Sequence, residues 1–296
     1  MNEPFNSQTV RQYAFAVADA GMAECLPDGL IVERLVPNHL GPSAHLMPIL
    51  IDLNRSASYA LDGISNQIRN ACENAQAPCI TLFIKTKASA REITRHWNSM
   101  QLVRPRPGHG LWLRLHDSRV LHQMLRILNP MQSRKMFGLS LAITYWIGGE
   151  WVTAERELHY PPGSQSSALG GAEPYAGQER WDWARIERIG LVNRALHHAN
   201  IRAAAALTSA GALAEELMER AARRYGLIDN ADLVEFAARG LRTNPTFDEH
   251  PTVARVIKQD AMSAEESSLS DRFALVEEQV WHALCKPTKT PLESQL

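Results

Sequence analysis

Between residues 159 and 180 the chain changes its periodicity, and one pattern cannot describe both sides of that change. The run Pro161-Pro162-Gly163-Ser164-Gln165-Ser166-Ser167-Ala168-Leu169-Gly170-Gly171 is made of breakers and small polar residues without an apolar repeat. That composition predicts a flexible connection over 159–180. Before it, short apolar runs alternate with stretches of helical spacing. After it, Gly and Pro retreat to segment ends, and Ala, Leu, Glu and Arg dominate. The expectation is an α/β domain with a mixed sheet (α+β) over 1–158, an all-α lobe over 181–285, and a disordered tail over 286–296. A chain of 296 residues with 45% hydrophobic content is long enough for two cores.

In the first half, Tyr13 to Ala18 reads as a strand and Met47 to Leu53 as the next, the latter inside a nearly continuous apolar run of the kind covered on both faces. The stretch between them is weakly patterned. Ser56 to Asn74 carries Tyr59, Leu61, Ile64, Ile68 and Cys72 at helical spacing, with Asn54 or Ser56 as the expected cap. Cys79 to Lys85 is a further buried strand, and Ala88 to Met100 a helix with Ile93 and Trp97 on one face. Leu102 to Arg104 and Leu111 to Leu115 flank a Pro105-Arg106-Pro107-Gly108 turn. Leu139 to Ile147, Gly148-Gly149 and Glu150 to Glu157 give a hairpin with a two-residue glycine loop. The second half predicts helices over Ile186–Leu196, over Leu207–Tyr225 with Gly226 as C-terminal cap, from Asp229, over Val253–Asp260 and over Ser270–Leu284.

The pivot of the first half is Gly110 to Leu121. Apolar alternation from Leu111 to Leu115 gives way at His116-Asp117, and Val120, Leu121, Met124, Leu125 and Leu128 then recur at helical spacing, so Asp117 is the natural N-cap of a helix that Asn129-Pro130 ends. Within it stands Arg114-x-x-Asp117-x-Arg119-Val120-Leu121, preceded by a helix and followed by an aromatic-ended hairpin from Phe137-Gly138 to Trp146. This segment, with the two apolar strands before it, resembles the domain of effector chaperones, or adaptors, of bacterial type VI secretion systems. The resemblance covers roughly residues 11–158. It departs at Ser118, where that family usually has Pro, and at His116, where it has a bulky aromatic.

What the resemblance implies is a non-enzymatic cytoplasmic protein that binds a secreted toxic effector and promotes its loading onto the spike protein. Arg114, Asp117 and Arg119 would then belong to the family's fold or partner surface, with no catalytic, cofactor or metal residue. A division of labour follows, in which the α/β domain makes the common contact and the helical lobe and linker clasp the particular cargo.

Charge excludes some partners. Lys+Arg is 31 against Asp+Glu 32, with 16 against 13 in the first 158 residues and 15 against 19 in the rest, so no field draws the chain to nucleic acid or an anionic membrane. Met1 to Ala20 contains Glu3 and Arg11 and lacks the uninterrupted apolar core of a signal peptide. The apolar runs are strand-length, too short for a membrane helix. A cytoplasmic location would leave Cys25, Cys72, Cys79 and Cys285, which offer no Cys-x-x-Cys pair, reduced and mostly buried.

Several constellations point to chemistry. His116-Asp117 is a ligand-type pair, but Asp117 is needed as a cap. Gly138-Leu139-Ser140-Leu141-Ala142 leads into a strand and so lacks the strand-to-helix geometry of a nucleophile elbow. His197-His198 point about 100° apart on a helix. Arg104, Arg106, His109 and Arg114 interleaved with Trp112 read as a solvated hairpin or a protein-binding rim. Trp146 and Trp151 beside the glycine turn, and Trp181 and Trp183 beside the linker, are candidate partner anchors, as is Trp112, with core packing as the equal alternative. If the first strands were parallel and adjacent, Asp19, Asp52 and Asp117 could meet at their carboxyl ends as a metal-dependent hydrolase site. The other alternative is an effector's immunity protein.

Overall fold

The computed structural model describes residues 5, 7–37, 40–106, 109–156, 181–258 and 267–285, with residues 104–106 and 109 by their backbone alone. It divides into two compact units, Met1–Ile186 and Glu187–Leu296. The predicted linker over 159–180 and tail over 286–296 lie outside the described residues.

The first unit is built on a six-stranded sheet in the order β2-β3-β1-β4-β7-β8, from β1 (Phe15–Ala18), β2 (Ile31–Arg34), β3 (Ile49–Asp52), β4 (Ile80–Thr86), β7 (Ser140–Ile147) and β8 (Glu150–Glu155). A separate hairpin joins β5 (Leu102–Arg106) to β6 (His109–Trp112). The α/β organisation holds, but the sheet is not mixed: every pairing in it is antiparallel. The apolar run of β3, buried at all four positions, reports two covered faces. Helices on both sides bury a sheet whatever its strand directions, so the run does not imply parallel pairing.

One face receives α1 (Ser7–Val10) and α2 (Ser58–Glu73), where Leu61, Ile64 and Ile68 pack with Ala16, Ala18, Ile49, Ile51 and Phe83. Burying each of those three large α2 side chains contributes about 1.5–3 kcal/mol. The opposite face carries Ile84, Ile143 and Tyr145 by the period-2 alternation of the strands. It is covered by α3 (Ala90–Gln101), α4 (Ser118–Ile127) and α5 (Pro130–Phe137), with Trp97, Met100, Leu121 and Met136 closing on Ile143. His96 Nε2 reaches the Met136 carbonyl at 2.8 Å, tying α3 to α5.

Three local expectations change. β2 falls in the stretch without a pattern because its side chains are exposed or half-buried. α5 is an additional helix: Asn129-Pro130 ends α4 but also starts α5, with Asn129 Oδ1 accepting the Gln132 N–H at 2.9 Å and Pro130 in the first turn. Ser56 does not cap α2. Its hydroxyl donates to the Asp52 carbonyl at 2.6 Å and accepts the Ile31 N–H at 3.0 Å, and α2 starts at Ser58 with Ala57 in the N-cap position, without a side-chain cap. The cysteines are not mostly buried, since Cys25, Cys72 and Cys285 are exposed and Cys79 is half-buried.

The second unit is all-α, as expected, from α6 (Trp183–Glu187), which straddles the boundary, through α7 (Ile189–His198), α8 (Ala204–Tyr225), α9 (Asn230–Arg242), α10 (Pro251–Lys258), α11 (Leu269–Ala274) and α12 (Glu278–Leu284). Gly226 ends α8 at φ 69°, a left-handed conformation that Gly adopts without penalty. Asp229 caps α9, accepting from Ala231 N–H at 2.7 Å. The single helix expected over 270–284 is two, because Leu275 and Val276 turn back onto Arg272 and Phe273. The break lets Phe273 and Trp281 flank the Arg239 guanidinium at 5.4 and 4.4 Å.

Candidate functional site

The strand-to-helix pivot is a turn locked by its own side chains. β6 ends at Trp112, earlier than the alternation suggested, and Leu113 and Leu115 stay buried while the backbone turns: the Leu115 N–H bonds the Leu113 carbonyl at 2.9 Å, and the Asp117 N–H the Arg114 carbonyl at 2.8 Å. Asp117 caps α4 as expected, its Oδ1 accepting the Arg119 N–H at 3.0 Å. Arg119 returns to the same carboxylate through Nε at 3.1 Å and Nη2 at 2.8 Å, a two-pronged grip within two residues. Burial pushes the Asp117 carboxyl up, but the hydrogen bonds and charge of Arg119, with Arg114 beyond, more than offset it and hold the group below its usual range.

Asp19, just past β1, joins this turn. Its Oδ1 accepts the Gly21 N–H at 2.9 Å, capping a short 3-10 helix over Ala20–Cys25, while Oδ2 faces Arg114 Nη2 at 3.5 Å and His116 Nε2 at 3.4 Å. The His116 side chain is 3% exposed. Burial, helped by the Arg114 charge and opposed by Asp19 and Asp117, holds its imidazole below the ordinary histidine value. The Arg114 guanidinium stands 5.6 Å from the Trp112 ring, and Trp112 lies 6.2 Å from His116. Trp112, Arg114, Asp117 and Arg119 are thus one cluster, with Asp19 and His116 inside it. The roles of those two depend on β1 being adjacent in space, which nothing local in the sequence records.

The other candidates lie elsewhere. Trp146 and Trp151 are register partners across β7 and β8, with rings 5.4 Å apart, and Trp151 also meets Phe5 at 4.5 Å and Phe83 at 5.5 Å. They are half-buried and belong to an aromatic cluster on the α2 side of the sheet. Trp181 and Trp183 stack at 5.6 Å with an interplanar angle of 11°. The side chains of Arg104, Arg106 and His109 lie outside the described residues.

The three-carboxylate arrangement is overturned by strand direction. β1 runs antiparallel to β3 with Phe15 opposite Asp52 and Ala18 opposite Ile49, so Asp19 and Asp52 lie at opposite ends of the sheet, about 13 Å apart along the strands. Asp117 is engaged by the α4 cap and by Arg119. No group of three or more His, Cys, Asp or Glu among the described residues is placed to hold a metal ion. The cluster holds cations against carboxylates in a fixed turn, and its exposed members, Arg114 at 49% and Arg119 at 68%, present charge and an aromatic ring at the surface.

A protein-family model described as a domain of unknown function, DUF4123, matches residues 36–135, about a third of the chain, from the segment before β3 into α5. That span contains the whole of the Trp112–Arg119 turn. No curated protein and no solved structure matches the chain.

Proposed function

We propose that this chain is a non-enzymatic adaptor of a type VI secretion system, which binds a toxic effector in the cytoplasm and promotes its loading onto the spike protein without acting on nucleic acid or membrane. The observation that carries the reading is that the family match over 36–135 falls on the segment holding the Arg114-x-x-Asp117-x-Arg119 turn, on which the resemblance to effector adaptors rests. The geometry is compatible with it. The carboxylates of the turn are committed to caps and arginines, and no helix among the described residues is long and apolar enough to cross a membrane. The exposed Arg114 and Arg119, with half-buried Trp112, have the composition of protein-recognition surfaces, where Arg and Trp are the residues that carry binding energy.

The test is an affinity purification of the tagged chain from its native cells, with partners identified by mass spectrometry. The expected result is co-purification of a spike protein together with a large toxin-like polypeptide, both reduced when Arg114 and Arg119 are replaced by Ala. Recovery of a toxin without the spike would make the chain an immunity protein, and recovery of neither would end the adaptor reading.

A further inference from the structure

β2 is the outer strand of the sheet on the β3 side, and no strand pairs with its far edge among the described residues. The ladder settles which groups face out. Antiparallel bonding alternates, and the Leu35 N–H bonds the Pro48 carbonyl at 2.9 Å, so Glu33 and Leu35 turn inward to β3 while Val32 turns its N–H and carbonyl to the open edge, and Arg34 its N–H. The Arg34 carbonyl is already taken by the Val36 N–H at 3.1 Å, so the open edge is short. It is also preformed, since Arg34 Nη1 clamps β2 to the carbonyls of His45 at 3.1 Å and Met47 at 3.0 Å. Two apolar side chains stand beside it in solvent, Val32 at 53% and Ile31 at 42% exposure.

The charge beside this edge is specific. On the α3 side, Glu33 forms the rim of a cleft of about 680 Å3 whose walls include Asp52, Arg55, Ser89, Arg91 and Thr94. The Thr94 hydroxyl is buried there without a hydrogen-bond partner among the described residues, and Glu33 has no ion pair among them. The charged side chains of the cleft are two carboxylates, Glu33 and Asp52, and two arginines, Arg55 and Arg91, and of the four Glu33 is the one on β2 itself, so it is the one an added strand would lie beside. Free backbone donors and an acceptor two residues apart, about 6.8 Å along the strand, match the repeat of another strand and not that of a helix.

We propose that β2 is a docking edge for an extended segment of a partner protein, which adds as a seventh strand, places an apolar β-branched side chain beside Val32, and sets a basic side chain against Glu33 in the cleft. The inference rests on the adaptor reading only for the partner's being a protein. Backbone bonding supplies attachment and the cleft supplies selection, as in other strand-addition sites.

The experiment titrates the intact protein with a fluorescein-labelled octapeptide of alternating Val and Lys, read by anisotropy at about 0.15 M salt, where exposed charges are screened beyond about 8 Å. Saturable binding is expected, at least tenfold weaker for a peptide of the same composition in permuted order. Val32→Pro removes one outward N–H and leaves the bonds of Glu33 and Leu35 to β3, a substitution edge strands tolerate, and should weaken binding at least tenfold with the melting temperature little changed. Should that variant fail to fold, the same peptide N-methylated on alternate amides replaces it and should bind at least tenfold more weakly. Glu33→Lys should switch preference to a Val-Glu peptide. Absence of binding, equal affinity for the permuted peptide, or indifference to both backbone blocks would overturn the proposal. So would a dimer of the chain that Val32→Pro converts to monomer, because the occupant would then be a second copy. Partner purification reads the adaptor role and the peptide titration reads the edge, so either can fail without the other.

Discussion

Asp117 in the sheet unit and Asp248 in the helical unit are both carboxylates held by arginine, yet they do different work. Asp117 takes its partners from two residues away and fixes one turn. Asp248, fully buried in a short turn over Phe247–Glu249, accepts from Arg220 Nη1 at 3.2 Å, Arg224 Nη1 at 3.2 Å and the Tyr225 hydroxyl at 3.0 Å, all on α8 and 23 to 28 residues earlier in sequence. Arg220 also donates to the Pro245 carbonyl, and the neighbouring Phe247 ring packs on Phe236 at 4.9 Å. A local carboxylate shapes the chain, and a distant one cross-links elements that already exist.

The first consequence is one of size. Asp248→Ala would take the carboxylate away from two guanidinium groups and a hydroxyl, although Arg220 keeps the Pro245 carbonyl and Tyr225 keeps the backbone carbonyl of residue 248 at 3.0 Å, and breaking a buried pair costs about 3–5 kcal/mol. Because Arg220 and Arg224 keep 22% and 48% exposure and can be hydrated, the low end, about 3 kcal/mol, is expected in urea unfolding of the intact chain. The same site should be visible in a tyrosine titration. Burial, with the Asp248 charge and hydrogen bond behind it, pushes the Tyr225 hydroxyl up to about 12, and burial alone does the same for Tyr145. Two tyrosines should titrate last, and Asp248→Ala should bring one of them down only in part, since burial remains. An effect on stability below about 1 kcal/mol would remove the distinction between the two carboxylates.

The turn should give less. Asp117→Ala removes an N-cap, worth about 1 kcal/mol, together with the Arg119 grip, whose Arg side is 68% exposed and adds a few tenths. Asp117→Asn keeps a capping oxygen and should recover most of the loss in the same unfolding experiment. If Asn were as damaging as Ala, the ion pair and not the cap would be holding the turn.

The same contrast separates what the sequence revealed from what it hid. The Asp117 cap, the Gly148-Gly149 hairpin, the Gly226 helix end and the Asp229 helix start are written within a few residues, because each satisfies backbone groups next to it. β2 left no mark, since an edge strand without a buried face has no reason to alternate. α5 was masked by Asn129-Pro130, whose two residues stop one helix and open another by the same chemistry. Strand direction was hidden altogether. Double burial by helices on both faces gives β3 the composition of a parallel strand, and the error carried Asp19 and Asp52 to a shared site that the antiparallel register separates. At the candidate site, Arg114, Asp117 and Arg119 were legible as one motif and Trp112 as part of a basic hairpin, and the structure joins the two. The burial of His116 and its contact with Asp19 were not legible, because they depend on β1 lying beside a turn about 95 residues later.

That hidden contact has a pH signature. His116 is held neutral by burial and by Arg114, so its folded value lies below the unfolded value of about 6.5. As pH falls through 6.5 the unfolded chain takes the proton first, and stability is lost until the folded value is reached. His122, depressed by burial and by Arg126, adds in the same direction. Urea midpoints at pH 7.5, 6.5 and 5.5 should therefore decline, and His116→Gln should flatten the decline without abolishing it. An equally steep decline in that variant would show that Asp19 compensates the protonated ring fully.

Sequence separation and burial are still confounded, because Asp117 is local and partly exposed while Asp248 is distant and buried. The Arg188–Glu219 pair separates them. Its partners are 31 residues apart and meet at 3.2 Å, but their side chains are 36% and 46% exposed. Water screens such a pair and the two long side chains lose rotamer freedom in making it, so Arg188→Ala should change stability by only a few tenths of a kcal/mol. A double-mutant cycle with Glu219→Ala isolates the pairwise part. A coupling near zero would assign the strength of Asp248 to burial. A coupling above about 1 kcal/mol would assign it to reach along the chain, and Asp117 would then be weak because it is local and not because water reaches it.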